Sequence, residues 1–230
     1  LVAERYGPAN WATRFDPATG LLQRDPAYLP SSRRTTEGIC PAAIGGKHLA
    51  PAAFAPTSEL FFVPLTNLCM AKRDSIAAWA PGRPYIGSTV RMHAGPGGNR
   101  GRVIAWDAAT GAVRWEIKEE FPVMGGMLAN AGGLLFYGTL DGWLKAVDQA
   151  QGRERWRFKL PSGIVGSPVL FATSDGREYL AVLSGVGGWA AAGLQPGARP
   201  TDVLGGGGAF AGLGAVTNRG GTLFVFELGR

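Results

Sequence analysis

The chain has 230 residues with 36 Gly, 16 Pro, two Cys and a formal charge of +6. That length can bury a substantial core as one large domain, and no stretch approaches the ~20 uncharged apolar residues of a spanning helix, so no membrane span is predicted. The basic residues are scattered, with Arg33-Arg34 and Lys72-Arg73 the only adjacent pairs, a pattern of solvated loops rather than of a nucleic-acid or membrane patch.

In chain order, the opening LVAERYGPANWATRFDPATG has no initiating Met, no basic n-region and no apolar h-region. Its RFDPATG resembles the turn of the repeat described next. Residues 1–30 are therefore expected to be the end of a preceding blade, with the chain beginning inside a domain. PAAFAP and ELFFVPL then read as strands, followed by an expected loop from about Met70 to Gly98. Beyond it two stretches say nearly the same thing: GRVIAWDAATGAVRW (Gly101 to Trp115) and GWLKAVDQAQGRERW (Gly142 to Trp156), 41 residues apart. Self-similarity at a fixed period means one unit copied around a ring or along a solenoid.

In each copy a strand runs into an acid, Asp107 or Asp148, that can accept the N–H groups of a tight turn. Each turn ends in glycine, Gly111 or Gly152, suited to a positive φ. The returning strand carries Trp115 or Trp156 on one face and charges on the other. The small Ala105 and Ala146, with the turn glycines, leave a shallow surface on which a Trp from the adjacent unit can stack, burying on the order of 200 Å². Radial, repetitive packing of this kind predicts an all-β fold, a β-propeller with tryptophan-docking repeats.

Residues 31–118 read as one blade interrupted by the long loop. Residues 119–160 read as a second, with turns at Ala131-Gly132-Gly133, Asp141-Gly142 and Gln151-Gly152. Residues 161–230 supply three further strands, SGIVGSPVLFA, REYLAVLSG and GTLFVFEL, with a Gly-rich insertion before the last. That makes about three blades and minimal helix. Two sheet faces are left open and apolar, so the chain by itself is expected to aggregate or to need further blades, and to lack autonomous catalysis.

Several side chains could carry chemistry. Cys40 and Cys69 can form one intramolecular bridge or stay as two buried thiols; Cys40 with His48 as a nucleophilic pair lacks an orienting acid. His48, in GGKHLAP, can hydrogen-bond a carboxylate or carbonyl, pack within its loop, or ligate a metal. Met124, in FPVMGG, reads as a buried residue on an inner strand. Trp189, in GVGGWA, either packs in the core or lines a site where glycines let backbone approach a ligand. His93, in RMHAGPGGNR, has no ligand-spaced neighbours and reads as a surface loop. The runs VGG and LGGGGAFAGLG precede no helix-forming segment, so they are not dinucleotide fingerprints.

Taken in order, the Ala-x-Asp-x-x-x-Gly-x-x-x-Trp unit, GICPAAIGGK, FYGTLDGWLKAVD, PSGIVG and VLSGVGGWA resemble the quinoprotein alcohol dehydrogenases. The likeness is to the C-terminal part of the methanol/ethanol dehydrogenase group, including its lanthanide-dependent branch. It implies an eight-bladed propeller holding pyrroloquinoline quinone and a Ca²⁺ or lanthanide ion. It also implies a periplasmic setting, oxidation of a primary alcohol to an aldehyde by hydride transfer to the quinone, and electron transfer to a c-type cytochrome; a homodimer is compatible with it. The family's catalytic aspartate, metal ligands, vicinal disulfide and supporting arginine belong to earlier blades, so no catalytic or metal residue is expected in this chain.

Within the chain, the resemblance implies a Cys40–Cys69 disulfide, which suits an oxidising compartment. His48 stands where the family commonly has an Asn contacting the quinone, and Met124 where it often has a Trp; a thioether can still pack on a flat ring. Gly188 and Trp189 fall at the cofactor end of the central channel, and LGGGGAFAGLGAV is expected as a mobile loop over the substrate funnel. Two other accounts remain. One is a non-catalytic propeller that binds proteins, like the outer-membrane assembly scaffold with similar docking repeats, against which GGK and GVGGW argue. The other is an inactive remnant, which the His48 and Met124 departures allow.

Overall fold

Residues 7–82, 85–195 and 206–229 are described by the structure, a computed structural model. The chain opens with a hairpin of β1 (Ala12–Phe15) and β2 (Leu22–Arg24). It continues through β3 (Thr36–Ile39), β4 (Ala53–Ala55), β5 (Leu60–Thr66), β6 (Leu68–Asp74), β7 (Ser88–Ala94), β8 (Gly101–Asp107) and β9 (Ala112–Glu119). Next come β10 (Leu128–Ala129), β11 (Leu134–Gly138), β12 (Trp143–Asp148) and β13 (Glu154–Lys159), then β14 (Val169–Ala172), β15 (Glu178–Gly185) and β16 (Gly220–Leu228). Three antiparallel sheets, β4-β5-β8-β9, β10-β11-β12-β13 and β14-β15-β16, are blades of a propeller.

The acid-to-glycine turn occurs three times with one geometry. Gly20, Gly111 and Gly152 donate their N–H to the carbonyl oxygens of Asp16, Asp107 and Asp148 at 2.8, 2.8 and 2.9 Å. The aspartate side chains take further backbone N–H groups, from Ala18, Ala109 and Gln151. At Asp107 the Arg114 guanidinium donates as well, at 2.8 Å. That bond first, and then Thr110, holds the carboxyl below its ordinary range. A lowered folded-state pKa means that this stabilisation is complete above the ordinary carboxylate range and is lost as pH falls through the lowered value.

The blades stack face to face, so the middle strands are apolar on both sides instead of alternating with polar residues. On β11, Leu135 and Tyr137 enter the core shared with the first blade, beside Phe62, Val103 and Ala105. Phe136 enters the core shared with the third blade, beside Ile164, Leu180 and Val182. Trp115 spans the first of these interfaces. It stands across from Ala105 on its own sheet and stacks on Phe62 with ring centroids 5.7 Å apart. Its indole Nε1 donates to Gln149 O of the next blade at 2.9 Å. Gly152, at φ +69°, lies so close beneath that a Cβ there would come within 2.8 Å of the ring, so the turn needs glycine both for its backbone and for its contact.

Two segments differ from expectation. The stretch 70–98 is not a loop throughout: β6 and β7 pair over seven residues, from Leu68↔Ala94 to Asp74↔Ser88, and β3 joins them in a separate three-stranded sheet. His93 accordingly lies on a strand, exposed, with its Nδ1 2.9 Å from Ala94 O. Much of the Gly-rich insertion is also packed. Residues 206–216 form two helical turns, Gly206–Ala209 and Leu213–Val216, whose Ala209, Phe210 and Leu213 are buried against Val90 and Met92. A Cβ on Gly208 would collide with Met92 O, so the turn sits directly on β7. Arg100 fastens it by donating to Ala211 O at 2.7 Å. Leu204 and Gly205 of that stretch fall outside the described residues.

Trp156 meets the third blade edge-on through Phe226, at 5.5 Å, and remains 39% exposed. Replacing Trp115 with Ala should therefore cost about 3–5 kcal/mol, and Trp156→Ala clearly less, in urea unfolding of the protein that carries this chain. Equal losses would mean that the Gly152 contact contributes nothing special.

Candidate functional site

A cavity of about 360 Å³ opens where the inserted hairpin meets the connection between β15 and β16. One wall is the inner face of β7. Side chains two apart share a face of a strand, so Ser88, Val90 and Met92, continued by Ile86, all point into it. Lys72 on β6, in register with Val90, extends the same wall. A second wall is the segment 40–50, which contributes Ala43, Ile44 and His48. The third is Trp189, on the 3₁₀ helix Gly188–Leu194.

The 40–50 segment has no regular structure, yet it is fixed at many points. The Cys40–Cys69 disulfide ties its start to β6. Ala42 N–H donates to Leu68 O at 2.8 Å and Thr66 N–H to Gly46 O at 2.9 Å, while the Thr66 hydroxyl donates to Gly45 O. The Lys47 ammonium folds back on its own loop, donating to Ala50 O at 2.7 Å and His48 O at 3.2 Å. Each bond removes backbone freedom next to His48 that would otherwise have to be lost when a ligand arrives.

His48 and Trp189, 141 residues apart in sequence, are thus brought to one cavity. Gly188 precedes Trp189 with a left-handed φ of +55° and an exposed backbone. Met124 is 5% exposed, in the loop before β10, and packs in the same core as Val90 and Met92, behind the wall that they present. Lys72 and Ser88 were not singled out from sequence. A signal was there for Ser88, since Val90 and Met92 alternate with Arg91 and His93; the Lys72-Arg73 pair looked like solvated loop. Lys72 Nζ donates to Asp74 Oδ1 at 2.6 Å. No cluster of three or more His, Cys, Asp or Glu that could hold a metal occurs among the described residues.

Comparison with known proteins adds the family. A family model described as outer membrane protein assembly factor BamB matches residues 82–193. The lanthanide-dependent methanol dehydrogenase of Methylorubrum extorquens is 44% identical over 240 residues, covering 99% of this chain and 40% of that protein. Methanol dehydrogenase [cytochrome c] subunit 1 of Methylobacterium organophilum is 40% identical over 220 residues, covering 93% of this chain and 35% of that protein. Among solved structures, a europium-containing methanol dehydrogenase superposes with a TM-score of 0.90 at 41% identity, covering 98% of this chain and 40% of that one. The chain belongs to the quinoprotein alcohol dehydrogenase family. It spans about two fifths of the length of the lanthanide-dependent relative.

Pyrroloquinoline quinone, the cofactor for which the family is named, is a flat ring system edged with carbonyls and carboxylates. The quinoprotein cavity fits such a group. Ile44, Ile86, Val90 and Met92 give it apolar walls, the Trp189 indole offers an aromatic face, and His48 and Ser88 offer polar edges. Its volume lies in the range of small-molecule sites.

Because the Cys40–Cys69 bridge anchors the segment that bears His48, the Cys40→Ser/Cys69→Ser variant should lose stability. For cysteines at a sequence separation of 29, the loss is roughly 3–4 kcal/mol in the chain-entropy treatment. The check is the shift in denaturation midpoint between oxidised wild type and the variant.

Proposed function

We infer that the protein carrying this chain oxidises a primary alcohol of the methanol/ethanol class to its aldehyde, using pyrroloquinoline quinone and a Ca²⁺ or lanthanide ion. The carrying observation is the convergence of His48 and Trp189 on one apolar-walled cavity in a chain so close to quinoprotein methanol dehydrogenases. The relatives' names supply the substrate class, the lanthanide and a cytochrome c acceptor. A periplasmic setting suits the Cys40–Cys69 bridge, since disulfides persist in oxidising compartments. A homodimer is compatible with this reading.

In this proposal the three blades are residues 31–118, 119–160 and 161–230, with residues 1–30 closing a preceding one. The catalytic base and the metal ligands come from outside the 230 residues. When bound, the quinone supplies the two-electron acceptor for the alcohol's hydride. The chain's own residues bind and orient it: His48 hydrogen-bonds a ring carbonyl or carboxylate, Trp189 covers a ring edge or face, and Gly188 leaves the approach clear of a side chain. Met124 keeps the cavity wall rigid from behind. The packed turns over 206–216 exclude water from the side of β7, which strengthens every polar contact inside.

A second reading, a protein-binding scaffold, draws on the family model matched over residues 82–193. That range contains the docking repeats and also Ile86, Ser88, Val90, Met92 and Trp189 of the cavity, so it does not separate the two readings. The enzyme reading is preferred because the likeness to methanol dehydrogenases runs over nearly the whole chain, His48 included.

Loaded with quinone and metal, the protein should reduce an artificial dye with methanol or ethanol. Chelation should abolish this activity, and Ca²⁺ or a lanthanide should restore it. His48→Ala should weaken quinone binding up to about tenfold, the worth of one hydrogen bond, read from quenching of tryptophan fluorescence. Tight quinone binding with no alcohol oxidation at any metal would leave the remnant account standing; no quinone binding together with saturable binding of a protein partner would favour the scaffold.

A further inference from the structure

The cavity contains a cation to which the alcohol-oxidation reading gives no task. Lys72, Ser88 and His48 reach it from three separate segments, β6, β7 and the anchored 40–50 stretch, and the rest of the lining is aliphatic or aromatic apart from backbone. Lys72 sits on β6 with its side chain only 26% exposed. Its ammonium has three N–H donors and gives one of them to Asp74, at 2.6 Å. Asp74 lies two residues on, on the same face of the strand, in register with Ser88. Its side chain is 38% exposed, so it offsets the Lys72 charge from the solvent side.

We propose that Lys72, supported by Ser88 and His48, forms a carboxylate-binding subsite within this cavity. A carboxylate has two oxygens and accepts several hydrogen bonds, and a partly desolvated ammonium beside a hydroxyl and an imidazole matches that need. Bonds in which both partners are charged are about twice as strong as neutral ones. Asp74 acts as an internal competitor, occupying part of the ammonium until a ligand carboxylate takes its remaining donors. The carboxylate has two sources. One is the quinone cofactor itself, and that branch rests on the function proposed above. The other is the substrate, which would make short hydroxy acids, alcohols bearing a carboxylate, the preferred class.

The test uses the protein that carries this chain, quinone-free and quinone-loaded, with two probes, pyrroloquinoline quinone and sodium glycolate, each titrated against wild type, Lys72→Met, Lys72→Arg and Asp74→Asn. Lys72→Met removes the charge and keeps the length of the stem. It should weaken one anion about 10–100-fold, with Lys72→Arg recovering most of the loss. Asp74→Asn should tighten the same anion several-fold, a gain that damage to the fold would not produce. Loss confined to the quinone assigns the subsite to the cofactor; loss of glycolate by the quinone-loaded protein assigns it to the substrate, and uncharged ethylene glycol should then be indifferent to both changes. If Lys72→Met leaves both anions within about twofold of wild type, the subsite does not exist. Should Lys72→Met fail to fold, Asp74→Asn decides alone: tighter binding of either anion sustains the proposal, and unchanged binding of both overturns it. Wild type that binds no quinone defeats the proposed function, while the glycolate titration of quinone-free protein still decides the subsite.

Discussion

Where Trp115 leaves its own sheet and lies on the Gly152 turn, two blades that share no strand are locked in one relative position, and the rest of the structure inherits that position. An indole buries a large area but is not selective about where it slides. Two polar contacts fix the register. The Nε1–H bond to Gln149 O sets one end of the ring. Beside it, Glu119 at the end of β9 accepts from Lys145 at 2.7 and 3.0 Å and from the Tyr137 hydroxyl at 2.8 Å, both on the next blade. Burial first, and then the Glu119 charge, pushes the Tyr137 hydroxyl pKa up, so it stays neutral and donates. A buried ion pair of this kind adds little net energy over an apolar replacement, but it penalises any arrangement in which one partner is left alone. The indole thus supplies adhesion and the Glu119 cluster supplies alignment.

The repeat was legible because its physics is local. An acid, a glycine four residues on and a Trp four residues after that make a turn and a returning strand without help from distant residues, and the period repeats the signal. The three Asp–Gly turns hold the same bonds at 16–20, 107–111 and 148–152. The Cys40–Cys69 bridge was legible only through family likeness, because two cysteines 29 residues apart are as consistent with thiols as with a bond.

The inserted hairpin was not legible because its pattern is diluted by charge. Lys72, Arg73 and Asp74 end β6 and Arg91 and His93 alternate along β7, so average hydrophobicity suggests a loop. Only the two-residue spacing of Val90 and Met92, both nearly fully buried, betrays a strand with one face inward. The stretch 206–216 misleads in the opposite way. Runs of glycine suggest freedom of movement, whereas here the absence of a side chain at Gly208 is what lets a helical turn rest directly on Met92 O. Small residues report close approach as often as mobility.

The inserted hairpin and two other non-repeating segments build the cavity. Ala43, Ile44 and His48 precede the first blade's inner strand; Lys72, Ile86, Ser88, Val90 and Met92 belong to the hairpin inserted between β5 and β8; Trp189 lies in the connection between β15 and β16. None of them stands on a strand of the three blades. The blades answer to packing on both faces, where a change of one methylene is felt, so they hold the repeat and leave little room for chemical variation. The inserted segments need only meet the blades at fixed anchors, the Thr66 bonds and the Arg100 clamp, and one another at the disulfide. Their inward residues can therefore change without disturbing Trp115 or Glu119. A propeller of this design keeps its geometry in the sequence that repeats and its ligand chemistry in the sequence that does not.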